Sequence, residues 1–133
     1  MPYALTFIKQ VELSRPDEYI NDCCKGGDVV LDRLLPALRM RYGNHLQSNQ
    51  EDWGWFIWSV DGPVQLAVDI ATDDDGLTFQ LHLTSRRPRF LLSDKIEDSP
   101  QLESLRDSVV RELTTWPVSN LTVERVNEKY LPS

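Results

Sequence analysis

Between residues 53 and 84, apolar and polar side chains alternate in three runs separated by turn-forming residues. A strand sends successive side chains to opposite faces, so this pattern predicts a three-stranded antiparallel meander. The second run sets Val64, Leu66, Val68 and Ile70 against Gln65, Ala67 and Asp69. The third sets Leu77, Phe79, Leu81 and Leu83 against Thr78, Gln80, His82 and Thr84. The first run, Trp53-Gly54-Trp55-Phe56-Ile57-Trp58-Ser59-Val60, is apolar on both parities. Either both faces of the sheet are covered there, or one aromatic face receives a partner.

Turn chemistry sets the register. Asp61-Gly62 suits a type I′ hairpin turn, which needs positive φ at both central positions. A two-residue loop there pairs Val60 with Pro63, Ile57 with Leu66 and Trp55 with Val68. A second turn over Thr72-Asp73-Asp74-Asp75-Gly76, closed by Ala71 and Gly76, puts Gln65 opposite His82. Trp58, Gln65 and His82 then share one row.

The flanking segments supply a first strand, two main helices and a last strand. Residues 3–9 alternate as a strand, and residues 14–20 read as a short helix ended by Gly26-Gly27. Asp28 is the expected N-cap of the first main helix. Its apolar stripe is Leu31, Leu34, Leu35, Leu38 and Tyr42, with a kink or new turn expected at Pro36 and a stop at Gly43-Asn44. Ser99-Pro100 gives an N-cap and a first-turn proline for the second main helix. Its stripe is Leu102, Leu105, Val109, Leu113 and Trp116, and Pro117 closes it. A strand near Leu121 to Val126 follows. The expectation is a single α+β domain over residues 1–133. It has a mainly antiparallel sheet with both helices on one face, in the order β-α-β-β-β-α-β.

One sheet face then carries Trp53, Trp55, Ile57, Leu66, Val68, Ile70, Leu77, Phe79, Leu81 and Leu83, and reads as core. The other carries Phe56, Trp58 and Val60 among Gln65, Ala67, Asp69, Thr78, Gln80, His82 and Thr84. Large aromatics set among polar groups suit the centre of a binding patch. Arg86, Arg87 and Arg89 follow the third run, read as a loop around Pro88, and their planar forks suit carboxylate or phosphate. The candidate binding residues are therefore Phe56, Trp58, Gln65, Asp69, His82, Arg86, Arg87 and Arg89. The structural alternatives are an aromatic inset covered within the chain or in a homodimer, and an arginine loop that balances the acidic segment from Asp94 to Glu103.

Charge and composition narrow the class. The formal net charge is −7, which argues against a nucleic-acid binder, since that needs a basic face. No apolar run approaches the roughly 18 residues of a membrane span, and the first residues lack a signal-peptide layout. Cys23 and Cys24 are adjacent and form no disulfide framework. A cytoplasmic location is the expectation.

Catalytic and metal signatures fail on spacing. Asp73-Asp74-Asp75-Gly76 invites a calcium loop, but the template needs acids where Ala71 and His82 stand. His45 and His82 are too far apart for a helical zinc motif. His82 beside Asp69 and Gln80 has the pKa range of a general base, though the geometric partners that role demands are not specified. Cys23-Cys24 lacks redox or zinc spacing, and Gly26-Gly27-Asp28 matches neither a P-loop nor a dinucleotide fingerprint. No cofactor or metal is expected, nor catalytic activity. The expected function is an acidic interaction or regulatory module that binds a protein, with an antidote-like role against a basic partner. The rivals are a small-ligand binder or minor enzyme with a pocket near His82, and a homo-oligomer that uses its aromatic face as adhesive.

Overall fold

The computed structural model describes residues 1–13, 19, 25–73, 75–89, 91–127 and 129, apart from the side chains of residues 93 and 94. The short helix expected over residues 14–20 and the Cys23-Cys24 pair lie outside the described residues. Strand β1 (Tyr3–Ile8) is followed by helix α1 (Gly27–Tyr42). Strands β2 (Asn49–Glu51), β3 (Gly54–Asp61), β4 (Val64–Thr72), β5 (Thr78–Arg89) and β6 (Leu92–Ile96) come next. Helix α2 (Pro100–Thr115) and strand β7 (Ser119–Arg125) complete the order. The fold is α+β with an antiparallel sheet and two helices, as the alternation and the two stripes imply. Two short strands, β2 and β6, are added to the expected meander.

The strands lie in the order β2-β3-β4-β5-β1-β7, with β6 paired to β5. Both helices pack on the first face. The core joins Leu31, Leu34, Leu35 and Leu38 of α1 and Leu102, Leu105, Val109 and Leu113 of α2 to Trp55, Ile57, Leu66, Val68, Ile70, Phe79, Leu81 and Leu83. From β1, Leu5 and Phe7 complete it, with Phe7 and Phe79 stacked at 5.5 Å. None of the helices is long and apolar enough to cross a membrane, among the described residues.

Helix starts follow local chemistry, with one correction. Ser99 caps α2 as expected: its hydroxyl accepts from the Leu102 N–H at 3.0 Å and lies 2.7 Å from the Ser85 hydroxyl of β5. At α1 the cap is Gly26, in a left-handed conformation with φ 83°, and no side chain caps the helix. Asp28 instead lies inside the first turn, buried, and accepts a hydrogen bond from the Tyr19 hydroxyl at 2.8 Å. Pro36 lies within α1, which runs on to Tyr42 as one element rather than restarting there.

Both meander registers slide by an even number of residues. Asp61 pairs with Val64, so Ile57 faces Val68 and Trp55 faces Ile70, instead of Leu66 and Val68. The cause is Pro63. A turn closed by Val60 and Pro63 needs a backbone donor that proline lacks, so closure passes to Val64. Gly62 alone then takes positive φ, at 60°, while the proline ring holds Pro63 negative. In the second hairpin, the Asp75 carboxylate accepts from the N–H groups of Leu77 and Thr78 and from the Thr78 hydroxyl. That carboxylate holds a longer loop, which ends with Thr72 facing Phe79. Gln65 therefore faces Arg86, not His82, and His82 faces Asp69. Because each slide is even, no side chain in the paired strands changes face.

Two side chains expected in the core leave it. Leu77 lies in this loop and is exposed. Trp53 lies in the β2–β3 turn, where Gly54, with φ 152°, breaks the alternation. A Cβ at Gly54 would stand 2.1 Å from the Ile70 carbonyl oxygen, so only glycine permits that approach.

Candidate functional site

The second face of the sheet has no helix over it among the described residues. Its β3 portion is an aromatic ladder. Phe56 packs 4.7 Å from Trp58 and 6.0 Å from Trp53, measured between ring centroids. The two indoles shield the phenyl ring, which is 9% exposed, while Trp53 is 44% and Trp58 66% exposed. Trp53 thus joins the second face rather than Trp55 and Ile57. The signal was present in the sequence as the glycine that follows Trp53, which is where alternation stops being a guide.

Beside the ladder, β4 and β5 contribute a polar strip. One row runs Phe56, Asp69, His82 and Ala4 across four strands. The next runs Trp58, Ala67 and Thr84, and a third runs Val60, Gln65, Arg86 and Ile96. Six of the eight candidate residues therefore share the face: Phe56, Trp58, Gln65, Asp69, His82 and Arg86. Arg87 and Arg89 do not join them. The segment read as an arginine loop is the end of β5, extended by pairing with β6. Strand alternation turns Arg87 away from Arg86, and its Nε donates to Glu97 at 2.5 Å. Arg89 stands at the end of that hairpin, in register with Leu92.

Two adjoining hollows lie on this face. The larger, about 460 Å³, is lined by Trp53, Trp58, Gln65, Asp69 and Arg86, with His45 from the loop after α1. The smaller, about 280 Å³, is lined by Trp53, Asp69, His82 and Arg86 among others. Trp53, Asp69 and Arg86 belong to both. Trp53 was absent from the candidates because parity assigned it to the core face, and His45 because it sits on no strand whose parity could place it.

Burial shapes the electrostatics. Desolvation pushes the Asp69 carboxyl up to about 6, against a smaller opposing pull from the Arg86 charge. Desolvation also pushes His82 below its ordinary value. Near neutral pH the strip therefore presents an ionised but partly dehydrated carboxylate, a neutral imidazole and a guanidinium. The Arg86 Nε is shut off from solvent and has no hydrogen-bond partner. Among the described residues, no group of three or more His, Cys, Asp and Glu side chains is arranged to hold a metal ion. Against family models, curated proteins and solved structures alike, the chain has no match.

Proposed function

We propose that the chain is a small cytoplasmic, non-catalytic interaction module that binds a basic protein partner through the second face of its sheet, in an antidote-like or regulatory role. The observation that carries this reading is the Trp53–Phe56–Trp58 ladder, whose central phenyl ring is shielded while the Trp58 indole stands 66% exposed. Exposed aromatics grouped over a partly desolvated polar strip match the anatomy of an interface centre. The strand ends and turns around it carry Glu51, Asp52, Asp61, Asp73 and Asp75, within a chain of net charge −7. An acidic rim speeds encounter with a basic surface and penalises acidic competitors.

Affinity capture from native cell extract, with wild type and Trp58→Ala as baits, tests the reading. The expected result is a basic protein retained by wild type and lost with the variant. Identical captures by the two baits would count against it. A second reading is favoured by the hollow of about 460 Å³, which is within the size range of small-ligand sites. Asp69 lines it, and His82 lines the smaller hollow that adjoins it, which together offer a seat for a small ligand or a minor reaction. Turnover of a small molecule that His82→Ala abolishes with the fold intact would select this alternative.

A further inference from the structure

We infer that the larger hollow on the second face is a carboxylate seat, in which the Arg86 guanidinium holds an acidic side chain of the partner between the Trp53 and Trp58 indoles. The inference rests on the reading of that face as the docking surface, and names what the partner inserts there.

Arg86 is the residue that asks for an occupant. Among the side chains that β3, β4 and β5 place on this face, it is the one fixed cation. Its Nε is sealed from water without an acceptor, and no described carboxylate lies within ion-pair distance of it. Asp69 lines the same hollows and its charge is felt, yet the two form no ion pair. A partly dehydrated cation without a partner is costly, and a planar acid relieves that cost by meeting the Nη end of the fork, which unlike Nε is not sealed, with two parallel hydrogen bonds.

The surroundings select the class of acid. The net charge of −7 repels free polyanions, so the bound group is a carboxylate carried on a basic surface. Gln65, directly opposite Arg86 in the register, adds an amide donor at the mouth. Trp53 and Trp58 supply flat apolar walls, and the hollow has room for one side chain. A single cation on this face fixes how the partner is seated, because a shifted docking would leave both the fork and the inserted acid unpaired. The titratable and charged groups around the seat are Asp69 from β4, His82 and Arg86 from β5, and His45 from the loop after α1. Protonation of Asp69, and of His82 at lower pH, strengthens the hold on an anion, so binding tightens as pH falls from neutrality.

Three flat probes of nearly one shape test the seat: benzoate, benzamide and benzamidinium, each titrated into the isotopically labelled chain. Tryptophan indole N–H and arginine Nε–H resonances report occupancy. Benzoate is expected to bind at least about tenfold more tightly than either analogue, more tightly still at lower pH, and to lose that advantage in Arg86→Gln. Arg86→Lys, which keeps the charge but not the fork, is expected to lose most of it as well, and serves if the glutamine variant fails to fold. Preference for benzamidinium, equal binding of all three, no shift at tens of millimolar benzoate, or a benzoate preference that survives in the Arg86 variants each overturns the inference. Loss of the seat with Trp58-dependent capture intact leaves the docking face standing. Loss of Trp58-dependent capture removes the docking reading itself.

Discussion

Asp69 faces His82 directly across the β4–β5 pairing, and burial moves their proton affinities in opposite directions. The Asp69 carboxyl, pushed up to about 6, keeps its proton in the folded chain over a range where the unfolded chain, with the usual value near 4, has released it. The folded state therefore binds more protons in that window, and stability falls as pH rises through it. Above about 6 the folded chain carries the whole cost of a dehydrated carboxylate. Asp69→Asn removes this cost. At pH 7 the variant is expected to be more stable by on the order of 2 kcal/mol, with the gain vanishing near pH 4. His82 acts the other way, since its depressed affinity costs stability as pH falls below about 6.5. It is common to both proteins, so the difference isolates Asp69. Urea unfolding of both at the two pH values checks this, and a gain that grows toward acid would contradict it.

Ser99 ties the start of α2 to β5. Its hydroxyl caps the Leu102 N–H and meets the buried Ser85 hydroxyl. Ser99→Ala leaves both groups without that partner, and the expected loss is about 1–2 kcal/mol. A denaturation midpoint unchanged from wild type would show that water replaces the hydroxyl.

The two sheet faces are expected to respond differently to truncation. Phe79 is fully buried and stacked on Phe7, so Phe79→Ala should cost about 3–5 kcal/mol. Trp58→Ala removes an exposed indole and should cost no more than about 1 kcal/mol. Thermal unfolding of the two variants reads the contrast. A large loss from Trp58→Ala would make the ladder a stability element.

Side-chain parity was the most legible property of the sequence, and it survives both register slides because each is even. The two apolar stripes and the opposite facing of Trp55 and Trp58 follow from periods of 3.6 and 2, and the Ser99-Pro100 start from capping chemistry. Register depended on a detail outside the alternation: Pro63 has no N–H, and a turn-dipeptide rule that considers only Asp61-Gly62 overlooks it. The Asp75 carboxylate lengthened the next loop by the same kind of local bond. Trp53 was misplaced because a parity argument ends where Gly54 adopts positive φ. Arg86, Arg87 and Arg89 looked like one basic cluster, yet continuation of β5 sends the first two to opposite sides. The cleft was only half legible, because His45 and Trp53 reach it from turns.

Tyr3 shows a tertiary arrangement with no local signature. Its hydroxyl accepts from Arg106 of α2 and Arg125 of β7 and donates to Glu103, while both guanidinium groups lie over its ring at 5.1 and 4.3 Å. Glu103 and Arg106 are an i,i+3 pair on α2, but Tyr3 and Arg125 lie far from them in sequence, so local spacing does not announce the group as a whole.

Sedimentation equilibrium of the purified chain, as wild type and as Trp58→Asp, tests most directly whether the aromatic face is kept for a different protein. Both are expected to sediment as monomers with the same folded spectrum, leaving the Trp58 indole accessible. A wild-type dimer that Trp58→Asp dissolves would contradict the account, because the face would then be covered by a second copy of itself.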